Sequence, residues 1–320
     1  MKKLEDFEKT ELGIFPTPIR KLENISRMFG TNIWIKRDDL TGIGVGGNKV
    51  RKLEYLLADA KKQGAELIFT TGQAQSNHAM LTAACRRRFD IEPVLILKKR
   101  GIMGNRGNLM LESLMNTEVI FMDCESYDEI YEEMDRIGVS RGKKYYKIPC
   151  GGSNGLGSLG YADCVREIAG QEKELGVNFR FIICPEGSGG TAAGLTLGQK
   201  LYMPEAEVIG AKVDTDPFEK ITPEIIRESL RLLESDMEIR DEDVHHVDAA
   251  GPGYAILSEE GLEAIRIMAE NEGLFLDPVY TGKAFGALLR MAKEGRFGKD
   301  DNVLFIHTGG IGGLFAFDIA

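Results

Sequence analysis

Apolar positions along this chain follow two rhythms. Short runs rich in Val, Ile and Phe alternate with longer stretches whose apolar residues recur every three or four positions. The short runs predict strands at Asn32–Lys36, Glu66–Thr71, Pro93–Leu97, Glu118–Met122, Tyr145–Ile148, Arg180–Cys184, Glu207–Val213 and Asn302–Ile306. Several are unbroken apolar strings (VLIL, FIIC, VLFI), as expected of strands covered on both faces of a parallel sheet. Between them, Val50, Leu53, Leu56, Leu57 and Ala60 draw an apolar stripe along a charged helix. Ser258, Glu259 and Glu260 ahead of Leu262, Ile265 and Met268 read as a capped helix start. Alternating β and α units imply right-handed crossovers and an α/β fold of doubly wound parallel sheets.

Two glycine clusters, Gly42–Gly47 and Gly151–Gly160, bracket a middle block of the chain. They predict a smaller inserted α/β domain at 51–157, with 1–50 and 158–320 forming a larger one. Glycine is abundant throughout, with 38 in 320 residues, against a usual share of about 7%. The 43% of hydrophobic and 28% of charged residues suit a water-soluble globular protein. A net charge of −10 argues against nucleic acid and anionic membranes as partners, since both require a basic footprint. The five cysteines are scattered singly, which speaks against a disulfide framework or a zinc site. No metal is expected. No apolar run nears the ~20 residues of a membrane span, and a cytoplasmic location is expected.

Chemistry concentrates in the glycine-bearing loops. The strand FIIC runs into PEGSGGTAAGL, placing free amides and a helix N-terminus at Gly187, Ser188, Gly189, Gly190 and Thr191. That arrangement suits a phosphate. It formally fits G-x-G-x-x-A, so a nicotinamide-dependent oxidoreductase is an alternative. However, Asp214 follows Gly187 by 27 residues, where a ribose-binding acid is expected after about 20. An ordinary tight corner between strand and helix is the less favoured reading of this loop alone. Gly282-Lys283 continues with Ala284, which excludes a Walker A loop.

In GGNKVRKLEYLL, Lys49 opens a helix, where the positive local field lowers an amine's pKa toward neutrality. Lys52, one turn on, reads as a solvated lysine. TTGQAQSNHAM places Gln75, Ser76, Asn77 and His78 where another helix begins, so these residues form an N-cap, a carboxylate site or both. DPVYTGKA and HTGGIGG supply hydroxyls from Tyr280, Thr281 and Thr308. The Ser76, Gly187 and Thr308 loops each follow a strand, so all three are expected at one crevice beyond the strands' carboxyl ends. His245-His246 reads as a surface pair, and His307 as a residue that shapes its loop.

Taken in order, FPTPIRKL, IWIKRDDLTG, GGNKVRKLEYLL, QSNHA, GGSNGLGSLGY, GSGGT, LDPVYTGKA and HTGG carry a resemblance. The chain resembles pyridoxal-phosphate enzymes of fold type II, the tryptophan synthase β-subunit class. Within them it is similar to the D-cysteine desulfhydrase / 1-aminocyclopropane-1-carboxylate (ACC) deaminase family. The resemblance implies two Rossmann-like domains, pyridoxal 5′-phosphate as cofactor, a small amino acid as substrate and a homodimer. It makes Lys49 the Schiff-base lysine, Asn77 the partner of the cofactor's phenolic oxygen and Gly187–Thr191 the phosphate cup. Ser76 and its neighbours match the group that handles the substrate carboxylate and protons. Tyr280 matches an active-site phenol, and Tyr254 a second tyrosine at the pocket mouth.

Two positions bear on the reaction. ACC deaminases carry Glu after the site tyrosine (VYEGK) and an apolar residue at the Thr308 position. Here VYTGK and HTGG place Thr281 and Thr308, as in D-cysteine desulfhydrases. A carboxylate keeps the cofactor's ring nitrogen protonated and makes the ring a deep electron sink, which ring opening requires. A threonine hydroxyl donates only to an unprotonated nitrogen, which elimination of a good leaving group tolerates. The expected activity is therefore α,β-elimination from D-cysteine or a related amino acid, with ACC deamination, cysteate or D-serine cleavage as alternatives. Met80, where the family usually has Arg, is a departure that bears on substrate choice.

Overall fold

The computed structural model describes residues 2–86 and 89–319. All eight predicted strands form, and two short ones join them. Strands β1 (Ile19–Lys21), β2 (Asn32–Lys36), β7 (Phe181–Glu186), β8 (Glu207–Lys212), β9 (His245–Asp248) and β10 (Asn302–Ile306) make a six-stranded sheet. Its order is β1-β2-β10-β7-β8-β9, parallel except where β1 pairs antiparallel with β2. Strands β3 (Leu67–Gln73), β4 (Glu92–Lys98), β5 (Glu118–Met122) and β6 (Tyr145–Ile148) make a parallel sheet in the order β5-β4-β3-β6. β1 and β9 escape the sequence pattern because three or four residues at a sheet edge carry no apolar run.

Each sheet is covered on both faces, which explains the unbroken apolar strings. In β10, Val303 and Phe305 pack on one layer, with Phe285 and Leu288 of helix α10 (Thr281–Lys293). Leu304 and Ile306 face the other way, toward Tyr161 and Cys164 of α6 (Gly155–Leu175) and Leu195 of α7 (Gly190–Tyr202). The small sheet alternates likewise. Leu67 and Phe69 meet Ile130 and Met134 of α5 (Tyr127–Arg141), while Ile68 turns to Leu53 and Leu57 of α2 (Lys49–Lys62). This is the doubly wound α/β architecture the alternation predicts. No helix among the described residues is long and apolar enough to cross a membrane.

Helix α2 corrects one reading. The apolar stripe is buried as expected, but so are Arg51, Lys52 and Glu54. Arg51 binds Asp38 bidentately at 2.8 and 2.9 Å, and also Glu167 at 2.9 Å. Tyr161 and Thr17 donate to the same Asp38 carboxylate. The Arg51 guanidinium holds Asp38 down at about 2 against the opposing effect of burial. A helix that looks half-solvated in sequence is thus held by buried ions.

Candidate active site

The carboxyl ends of β3, β7, β8 and β10 open onto one cavity of about 770 Å³. The Ser76, Gly187 and Thr308 loops all line it. Gly47 pairs with Gly309, and the Asn48 amide donates to the Thr308 carbonyl at 3.0 Å, which draws the Lys49 loop to the end of β10. A Cβ on Gly47, whose φ is +136°, would lie 2.9 Å from that carbonyl, so this approach requires glycine.

Lys49 opens α2 and lines the cavity. Burial lowers its amine from 10.5 to about 8. Lys52 is no solvated lysine. It is fully buried, and its ammonium donates to the Gly151 carbonyl and to Ser153 Oγ, both at 3.1 Å. Burial and then the neighbouring Lys49 push its pKa far below the usual lysine value.

The Gly187–Thr191 turn leads into α7, with Gly189 at φ +78°. Added Cβ atoms there meet obstacles: at Gly190, Ser153 Oγ at 2.6 Å and Lys52 Nζ at 2.8 Å; at Gly189, the start of α8 (Phe218–Leu232). Ser188 Oγ lies 2.9 Å from Ser153 Oγ, and Asn48 donates to Thr191 Oγ1 at 2.9 Å. Amides at a helix N-terminus, the buried Lys52 amine and two hydroxyls thus converge on one point, an arrangement suited to an anion.

Ser76 caps α3 (Asn77–Cys85) by accepting the Ala79 amide at 3.2 Å, and it also lines the cavity, so both readings of this loop hold. Asn77 accepts from Asn108 at 2.7 Å. His78 Nε2 lies 2.9 Å from the Thr70 hydroxyl, while its buried Nδ1 has no hydrogen-bond partner among the described residues. Burial, with Lys49 and Lys52 nearby, keeps His78 neutral. Tyr280 and Tyr254 share a 2.5 Å hydroxyl contact at the cavity wall. Burial raises both phenols, and Tyr254 raises Tyr280 further. Lys283 holds the turn that carries Tyr254 by donating to the Ala250 and Gly253 carbonyls.

Three expected site residues stand back from the main cavity. Gly190 lies behind the anion cradle. Gln75 lines a small adjoining pocket and accepts from the Asn108 amide at 2.8 Å. Thr281 is fully buried, with its hydroxyl donating to Asp277 at 2.7 Å. Asp277 also accepts the Val279, Tyr280 and Thr281 amides, so it ties off the start of α10.

The expected histidine surface pair is corrected as well. His245 is exposed, but His246 Nδ1 meets the buried Glu186 carboxylate at 2.7 Å, and Thr222 donates to the same carboxylate at 2.5 Å. His307 shapes its loop, accepting the Gly309 amide at 3.3 Å. Sequence reasoning also missed Asn48, Cys150, Ser153 and Glu186 in the lining. Of all the missed residues, only Lys52 had a signal, its position one helical turn from Lys49.

A profile of the family described as "Pyridoxal-phosphate dependent enzyme" matches residues 10–309. The chain belongs to this family. A Thermotoga maritima protein named "Putative 1-aminocyclopropane-1-carboxylate deaminase" is 42% identical over 96% of this chain and 98% of its own. A Klebsiella pneumoniae D-cysteine desulfhydrase is 38% identical over 99% of this chain and 98% of its own. A solved structure of an ACC deaminase homologue superposes with a TM-score of 0.90 at 39% identity, covering 98% of this chain and 94% of that one. The protein is a pyridoxal-phosphate-dependent enzyme of fold type II, within the group that holds ACC deaminases and D-cysteine desulfhydrases.

The residues present fit pyridoxal phosphate. The cradle that added Cβ atoms would fill matches a phosphate, and the Lys49 amine, near neutrality, matches an aldehyde.

Proposed function

We propose that this enzyme is a lyase that performs α,β-elimination on a small β-substituted amino acid such as D-cysteine. One water is consumed, the Cα–H and Cβ–S bonds break, and pyruvate, ammonia and sulfide leave. The observation that carries this reading is the hydroxyl character of the position after Tyr280 and of the end of β10. Thr308 lines the cavity, while Thr281 closes on Asp277, so neither position offers the cavity a carboxylate. Bound there, pyridoxal phosphate supplies the carbonyl that captures the substrate amine and the ring that takes up the Cα electron pair.

The remaining work falls to the chain. The amides of Gly187, Ser188, Gly189, Gly190 and Thr191, with Lys52 and Ser153, hold the phosphate. Asn77, braced by Asn108 and Gln75, would hold the phenolic oxygen, and the Thr308 hydroxyl would serve the ring nitrogen. The Lys49 amine, which lines the cavity and which burial lowers to about 8, takes the Cα proton. Tyr280, held protonated by burial and by Tyr254, donates toward the departing sulfur and does not act as a base. Ser76, whose oxygen already accepts an amide, turns its proton toward the substrate carboxylate beside neutral His78. Gln75 and Thr281 position others, through Asn108 and Asp277. The enzyme is read as a cytoplasmic homodimer on family grounds; a monomeric mass by sedimentation would refute the dimer.

A product assay across D-cysteine, L-cysteine, ACC, D-serine and cysteate tests the reaction. Pyruvate and sulfide from D-cysteine, with little 2-oxobutyrate from ACC, is the expected outcome. The name of the Thermotoga maritima relative favours ACC as a second reading. Dominant 2-oxobutyrate formation would establish it and end the first.

A further inference from the structure

Lys98, Arg100, Asp214 and Asp216 are among the charged side chains of the cavity lining that take no part in the roles assigned above. Lys98 ends β4 and Arg100 lies two residues on, both on the wall built by the four-stranded sheet. Asp214 and Asp216 follow β8, on the wall built by the six-stranded sheet.

Lys98 is only 8% exposed, yet among the described residues no carboxylate forms an ion pair with it. Its ammonium donates to the Glu125 carbonyl and lies 4.0 Å from the Tyr127 ring centroid. A buried ammonium without a counter-ion is costly, so an anion arriving there gains what the protein leaves unpaid. The Arg100 guanidinium sits 5.9 Å from the centroid of Tyr254, whose hydroxyl touches Tyr280. Arg100 therefore flanks the substrate end of the cavity, and it too has no ion pair among the described residues.

Opposite, partial burial and then Asp214 raise the Asp216 carboxyl, while Arg100 and Lys98 pull it down. Asp216 feels both cations across the gap, and among the described residues no ion pair spans it. Lys220, a further cation in the lining, precedes Ile221, which packs on Gly189, so it belongs to the phosphate end.

A purely anionic ligand answers one wall and is repelled by the other. A zwitterion answers both, with its carboxylate toward Lys98 and Arg100 and its ammonium toward Asp214 and Asp216. At about 770 Å³ the cavity is in the upper part of the range of about 300–1,000 Å³ for sites that enclose a drug-sized ligand.

Resting on the eliminase reading, we propose that the preferred substrate carries a second amino-acid head on its β-sulfur, making it a sulfur-bridged bis-amino acid. For the thioether lanthionine, breakage of Cα–H and Cβ–S with uptake of one water releases pyruvate, ammonia and cysteine. No oxidant is needed.

The test compares four thioethers in both Cα configurations on the holoenzyme, with pyruvate as readout. S-Ethylcysteine has no distal charge, S-carboxymethylcysteine an anion, S-(2-aminoethyl)cysteine a cation and lanthionine both. Lanthionine is expected to exceed S-ethylcysteine about tenfold in kcat/KM, worth about 1.4 kcal/mol, and to exceed each singly charged analogue. Arg100→Gln should reduce lanthionine to the level of the aminoethyl compound, and Asp216→Asn to that of the carboxymethyl compound. A flat series, a lead for S-carboxymethylcysteine, or an order unchanged in both variants would overturn the proposal. If no compound, D-cysteine included, yields pyruvate, the eliminase reading fails instead. The same four compounds, titrated by the change in cofactor absorbance, then still report whether the two walls select a zwitterionic head.

Discussion

Lys49 and Lys52 stand one helical turn apart, and burial gives them different work. The amine of Lys49 falls to about 8 and faces the cavity, whereas Lys52 is locked onto Gly151 and Ser153. Replacing Lys49 with Ala is expected to abolish both turnover and the visible absorption band of the holoenzyme, and a normal band with normal activity would refute its assignment. Glu112, on α4 (Gly107–Leu114), is a different kind of residue. It is fully buried, neither carboxylate oxygen has a hydrogen-bond partner among the described residues, and burial raises its pKa from 4.5 to about 8. Between those two values the folded chain keeps a proton that the unfolded chain has lost, so the stability contribution falls as pH rises from 4.5 to 8. Glu112→Gln should remove that slope. The variant is expected to melt higher than the wild type at pH 8 and to lose the advantage at pH 5, with a limit of about 3 kcal/mol at pH 7.

At the scale of elements, α2 carries the reactive amine and is fastened by Arg51 to Asp38 and Glu167. Removing one partner of a buried ion pair leaves the other charge uncompensated. Asp38→Ala should therefore cost about 3–5 kcal/mol in a denaturant titration and weaken cofactor retention with it, because the start of α2 moves. Asp38 ionises at about 2 when folded, against 3.8 normally, so its contribution is intact above pH 3.8 and fades as pH falls toward 2. The apolar stripe of α2 was legible because periodicity is local. The fate of its charged face was not, since the partners come from positions 38, 151, 153 and 167 and no spacing within the helix announces them. His246 was misread for the same reason, since its partner Glu186 lies on a strand 60 residues away.

Across the whole molecule, the four strands of the small sheet all fall within 51–157, and those of the large sheet outside it. We propose this as a structural division, not an autonomous one, because α2 joins the two through Asp38 and α6. A fragment of 51–157 expressed alone is expected to show no cooperative thermal transition by circular dichroism. A sharp transition would show that the inserted block folds independently. Strand positions, the doubly wound class, the glycine turn ahead of α7 and the family were all readable in one dimension, because alternation, glycine turns and motif order are properties of neighbouring residues. Which residues share the cavity was readable only in part: the three strand-end loops converge as parallel topology requires, yet Gln75 and Thr281 turn to Asn108 and Asp277. Tertiary structure alone decided the burial of Lys52, the pairing of Tyr254 with Tyr280 and the gathering of Lys98, Arg100, Asp214 and Asp216 into one cavity lining. Each depends on groups far apart in the chain sharing a space from which water is largely excluded, and pairwise distance and desolvation, which set their chemistry, are not written in sequence order.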